Sequence, residues 1–98
     1  MKNLGVSEFK ERIENDPEAV IIDVRSPAEE VEGLIDNSVN MNLMDPTFAE
    51  KVKALDSSKN YYVYCRSGGR SSSACHFMDM QGLNSFNLDG GIIAWNQQ

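Results

Sequence analysis

The sequence predicts an α/β fold built around a mostly parallel sheet. Three observations carry this: short apolar runs alternate with helical segments, the connections between them are short, and AVIIDV at 19–24 is a continuous apolar run of the kind a strand covered on both faces requires. In such sheets ligands sit beyond the carboxyl ends of the strands. The run YYVY at 61–64 leads into Cys65, which therefore stands at such an end.

Each element has a local reason. Val6 to Glu14 places Phe9 and Ile13 one helical turn apart, with Ser7 as the N-cap, and Asn15-Asp16-Pro17 ends the helix. Ala19 to Val24 is the apolar strand. Ser26-Pro27-Ala28-Glu29 reads as a capping box, with proline at the first helical position, and Gly33 closes that short helix. Ser38 to Leu43 is expected as a strand, and Thr47 to Leu55 as a helix with Phe48, Val52 and Leu55 on one face. After Tyr61–Tyr64, a helix runs from Gly69 or Arg70 to Gln81 and stops at Gly82. Ser85–Leu88 is a last short strand, and Asp89-Gly90-Gly91 turns the chain into a final helical turn carrying Trp95.

Length and composition narrow the function classes. The 98 residues fit one domain, 1–98, with 41% hydrophobic and 24% charged residues, as in an ordinary soluble protein. No apolar run approaches the roughly eighteen residues of a membrane span. Only Lys2 precedes a broken apolar stretch, so no signal peptide is expected and the chain reads as cytoplasmic. A net charge of -6 argues against nucleic-acid binding, which needs basic surface. The two cysteines, Cys65 and Cys75, fit no zinc spacing, and the single histidine, His76, cannot complete a site with them. Neither a metal nor another cofactor is called for.

The stretch after Cys65 is Arg66-Ser67-Gly68-Gly69-Arg70-Ser71, cationic and small. An ordinary structural cysteine would be followed by apolar residues or a plain turn. Here a glycine loop can turn its backbone N–H groups inward as an anion nest, and the following helix adds the positive end of its dipole. Gly68 and Gly69 permit positive φ and leave no Cβ in the way. A thiol held in such a cradle has its pKa drawn down.

CRSGGRS at 65–71 resembles the active-site loop of the single-domain rhodaneses, the thiosulfate sulfurtransferase family. IIDVRSPAEE at 21–30 is similar to the segment in which that family carries Asp-Val-Arg and a glutamate. Gly33 with Ile35 follows at the family's spacing, and LDGGIIAW at 88–95 resembles its C-terminal signature. The resemblance spans essentially the whole chain. It implies a rhodanese-like three-layer sandwich with a five-stranded, mostly parallel sheet flanked by helices on both faces, and catalysis through a persulfide on Cys65. Two departures stand out: Gly33-Leu34-Ile35-Asp36-Asn37-Ser38 replaces the usual Gly-His-Ile-Pro-Gly-Ala, and Glu30 stands where an aromatic is common.

With Cys65 as the catalytic residue, the substrate-binding candidates are Arg66, Ser67, Gly68, Gly69, Arg70 and Ser71. The donor is thiosulfate or a similar small molecule, and the acceptor is a thiol or cyanide, with a protein sulfur acceptor as a further partner class. Arg66 is expected at the pocket mouth. Arg70 either meets substrate or is solvated, and Ser71 either donates to the persulfide or caps the helix. Cys75 reads as core filling, His76 as surface and Trp95 as core. Asp23 and Arg25 sit at the same sheet edge as Cys65, and Arg25 is expected to pair with Glu29 or Glu30. A phosphatase of related fold is the rival enzyme, but its loops resemble Cys-x5-Arg, whereas this one is Cys65-x4-Arg70. A persulfide carrier acting with a dedicated protein partner is the alternative from another class.

Overall fold

A computed structural model describes Met1–Gln98. The chain runs β1 (Lys2–Leu4), α1 (Val6–Asn15), β2 (Ala19–Asp23), a 3₁₀ helix (Pro27–Glu32), β3 (Val39–Asn40), α2 (Phe48–Lys53), β4 (Asn60–Tyr64), α3 (Gly69–Met80), β5 (Asn84–Leu88) and α4 (Gly91–Asn96). The five strands form one sheet in the order β1-β5-β4-β2-β3, and every neighbouring pair is parallel. From β2 the chain moves outward to β3, and from β4 it moves the other way to β5. The point where direction reverses therefore lies between β2 and β4, the place where such sheets open a crevice at their carboxyl ends.

Strand periodicity divides the core in two. Tyr61, Val63 and Cys65 point to one face and pack with Ile22 and Val24, with Phe48 and Val52 of α2, and with Ala74, Cys75 and Met78 of α3. Tyr62 and Tyr64 point to the other, with Leu4, Phe9 of α1, Leu88 and Ile92 of α4. Burying three tyrosines on one strand requires a partner for each hydroxyl. The Tyr61 hydroxyl donates to the Asp56 carbonyl at 2.7 Å, that of Tyr62 to Asp16 Oδ2 at 2.8 Å, and that of Tyr64 lies 2.8 Å from Ser38 Oγ.

The secondary-structure elements differ from expectation chiefly in four places. The three-residue β1 was not foreseen: only Leu4 of it is buried, and its strand state comes from pairing with β5. Helix α1 starts at Val6 after Gly5, so Ser7 lies within the first turn and is not the cap. The expected strand at 38–43 shrinks to Val39–Asn40, because β2 ends at Asp23 and its continuation turns into the 3₁₀ helix. Only single backbone bonds, from Met41 N–H to Asp23 O and from Leu43 N–H to Val24 O, prolong the association. Helix α2 is likewise shorter than 47–55.

Candidate active site

The loop between β4 and α3 folds back on the Cys65 sulfur. The Gly68 N–H donates to Sγ at 3.1 Å and the Ser71 hydroxyl donates to it at 3.3 Å. Gly68 makes the turn with φ 110°, a left-handed conformation that only glycine adopts without strain. Gly69 differs from expectation: it is the first residue of α3, has no positive φ, and has open space where a Cβ would go. Burial alone pushes the Cys65 thiol up. The Ser71 hydroxyl and the N–H groups of Ser71, Gly68 and Ser67 outweigh it, so the net shift is below the ordinary thiol value.

The carbonyls of the loop are turned the other way by α4. The Ile92 N–H donates to Cys65 O at 2.9 Å and the Ile93 N–H to Arg66 O at 3.2 Å. Gly91, with φ 60°, lets the two segments meet, since a Cβ there would come within 2.6 Å of Cys65 O and collide with the Arg66 carbonyl. The Gly-Gly of LDGGIIAW is therefore part of the cradle's wall as well as a turn.

Both loop arginines are held by carboxylates of the 3₁₀ helix. The Arg66 Nε lies 3.0 Å from Glu32 Oε1, with the arginine side chain 55% exposed. Arg70 forms a two-pronged pair with Glu29 at 2.7 and 2.8 Å. Glu29 also accepts the Ser26 N–H at 3.2 Å and the Ser26 hydroxyl at 3.0 Å, so the foreseen capping residue serves two partners.

The expected pairing of Arg25 with Glu29 or Glu30 is corrected. Arg25 is fully buried and donates through Nε and Nη2 to the two Asp23 oxygens, both at 2.9 Å. Its remaining hydrogens reach the carbonyls of Glu29 at 3.1 Å and Gly33 at 2.8 Å, fastening the 3₁₀ helix by its backbone. The arginine that pairs with the Glu29 carboxylate is Arg70. Cys75 is buried in the core with its thiol pushed up to about 11, mainly by burial, and His76 is exposed on α3. Trp95 is half-buried edge-on to Phe9.

Sequence reading missed Glu32, Gly91 and Asn87 as neighbours of the loop. Asn87 on β5 donates to Gly68 O at 3.3 Å. Gly91 lies within LDGGIIAW, whose sequence gives no sign that it meets the loop, and no local pattern marks Glu32 or Asn87, because each reaches the loop from another element. The two surface cavities lie elsewhere: one of about 430 Å³ between α1 and Trp95, the other around Asp16 and Tyr62. Cys65 itself is 1% exposed, so its sulfur sits among the loop amides and not at the base of a large cleft.

Comparison with known proteins agrees with this geometry. The family model described as the rhodanese-like domain matches residues 5–98. YtwF of Bacillus subtilis, provisionally named a sulfurtransferase, is 40% identical over 97% of this chain and 90% of its own length. A sulfurtransferase of Allochromatium vinosum is 34% identical, covering 89% of this chain and 80% of its own. Among solved structures, a rhodanese-related protein from Thermoplasma volcanium superposes with a TM-score of 0.86 at 33% identity, covering 99% of this chain and 92% of that one. With a parallel five-stranded sheet, a cysteine loop at its switch point and these relatives, the chain belongs to the rhodanese-like domain family.

Proposed function

We propose that residues 1–98 act as one sulfurtransferase unit with Cys65 as nucleophile and a persulfide on Cys65 as the intermediate. The observation that carries this is the Cys65 sulfur held by the Gly68 N–H and the Ser71 hydroxyl in a loop that lowers its pKa. The thiolate attacks the outer sulfur of thiosulfate or a similar sulfane donor. A new S–S bond forms at Sγ, the bond to the sulfonate group breaks, and sulfite leaves with the electron pair. A thiophilic acceptor, cyanide or a thiol, then attacks the terminal sulfur and regenerates the thiolate, a ping-pong sequence.

Amides of Ser67, Gly68 and Ser71 stabilise the anion at each stage, and Gly69 and Arg70 start the helix that frames it. The site favours sulfur over phosphoryl chemistry, because the Cys65-x4-Arg70 loop is short and the Arg70 guanidinium is already taken by Glu29. No helix is long and apolar enough to cross a membrane.

The test is intact mass spectrometry after thiosulfate, with a thiocyanate assay alongside. One added sulfur that cyanide removes is expected; no adduct and no thiocyanate would reject the reading.

A second reading, a carrier whose persulfide is exchanged with a protein partner, is favoured by one observation. Arg66 and Arg70 are both paired with carboxylates, which leaves less positive potential for a free dianion than for a persulfide delivered on a protein. Transfer from a protein persulfide in the absence of thiosulfate turnover would select it.

A further inference from the structure

We propose that Asn87 is a positioning residue that directs the Ser71 hydroxyl proton onto the Cys65 sulfur. The inference rests on the reading of Cys65 as the reactive thiolate. Ser71 is fully buried, and its hydroxyl carries one proton with two acceptors in reach, Cys65 Sγ at 3.3 Å and the Gly68 carbonyl at 3.2 Å. Distance does not choose between them. The Gly68 carbonyl, however, already receives the Ser72 N–H at 3.0 Å and the Asn87 Nδ2–H at 3.3 Å. A carbonyl oxygen has two lone pairs, so these donors fill it. The Ser71 proton is then left for the sulfur, where it stabilises the thiolate and, after loading, the persulfide.

The setting of Asn87 supports this role. The residue is 3% exposed and its Nδ2 also donates to Asn3 Oδ1 at 2.9 Å. Both oxygens facing the amide are acceptors, so reversing the amide would set oxygen against oxygen. Its own Oδ1 is buried without a partner. An unpaired buried acceptor is a cost that a hydrocarbon of the same shape would avoid. The donor half of the side chain is the half in use, and it ends on the cradle. A relay thus runs from Asn3 on β1 through Asn87 on β5 and Gly68 to the Ser71 hydroxyl. Charged and titratable groups near Cys65 include Arg70, paired with Glu29 of the 3₁₀ helix, and Cys75 in the core, and neither is hydrogen-bonded to Asn87.

The test measures the apparent pKa of Cys65 from the pH dependence of iodoacetamide alkylation, resolved by peptide mass spectrometry in the full chain. Asn87→Ala should raise that pKa by roughly half a unit to one unit, the scale of one redirected hydrogen bond. In a Ser71→Ala background the same substitution should have no further effect, the non-additivity expected of two residues acting through one proton. Asn87→Leu preserves the side-chain shape and should raise the pKa in the same way, which guards against loss of packing in the alanine variant. Sulfur loading from thiosulfate should slow at neutral pH in both variants and recover as pH rises. An unchanged pKa in both variants, or an equal shift with and without Ser71, overturns the role of Asn87. A wild type that loads no sulfur while the pKa differences hold overturns the sulfurtransferase reading instead.

Discussion

Arg70 on α3 and Glu29 on the 3₁₀ helix meet beyond the carboxyl ends of β4 and β2 in a two-pronged pair at 2.7 and 2.8 Å. The pair joins the loop carrying Cys65 to the segment after β2. It holds the Glu29 carboxyl down to about 2, first through hydrogen bonds from Arg70 acting against burial, then through the Ser26 N–H and hydroxyl.

A carboxyl held below its unfolded value stabilises the fold above that value and loses the contribution as it is protonated. The window here runs from the ordinary value of 4.5 down to about 2. The side chains are 35% and 23% exposed, so solvent screening trims the contribution to about 1 kcal/mol. Glu29→Gln is expected to be less stable than wild type by that amount at neutral pH. In chemical denaturation at a series of pH values, the difference should shrink below about 4.5 and vanish near 2.

Sulfur should load on Cys65 alone. The Cys65 thiol is lowered by its loop, whereas that of Cys75 is raised to about 11 within the core. Thiosulfate treatment is expected to add one sulfur to wild type and to Cys75→Ala, and none to Cys65→Ser. Peptide mapping that finds the persulfide on Cys75 would reverse the assignment.

The glycines of the site should separate by backbone geometry. Gly68→Ala puts a Cβ on a residue with φ 110° and should cost ~1–2 kcal/mol. Gly91→Ala forces a Cβ onto the Cys65–Arg66 peptide and should cost ~1–3 kcal/mol or more, together with most sulfur loading. Gly69→Ala meets nothing and should leave stability unchanged or slightly raised, since alanine favours a helix more than glycine does. Thermal unfolding of the three variants checks the order.

Arg66 and Glu32 should act in opposite directions on an anionic donor. Their side chains are 55% and 42% exposed and meet at 3.0 Å. Arg66→Ala leaves an unmasked carboxylate at the rim and is expected to lower kcat/KM for thiosulfate a few-fold. Glu32→Gln frees the guanidinium and should raise it by a similar factor. Both effects should fade at high ionic strength. Equal kcat/KM for the two variants at low salt would show that neither charge reaches the donor.

Much of this molecule is written in local pattern. Apolar runs at 19–24 and 61–64, proline after Ser26 and Gly68 after Cys65 each act within a few residues, so strand, turn and the loop's bend can be read directly from them, whereas Gly69 only opens the helix. The order β1-β5-β4-β2-β3 depends on which strands pair, and it decided everything that crosses the chain. β1 exists because β5 offers it an edge, and the third strand is short because β2 turns away. Arg66 finds Glu32 34 residues away and Arg70 finds Glu29 41 away, because β2 and β4 are neighbours. Asn87 reaches Gly68 because β5 lies on the other side of β4. The sequence by itself determined the bend of the loop from Cys65 to Ser71, since backbone conformation is a local property. Tertiary structure alone decided which charges are cancelled and which residues wall the cradle, since hydrogen bonds and ion pairs act through space.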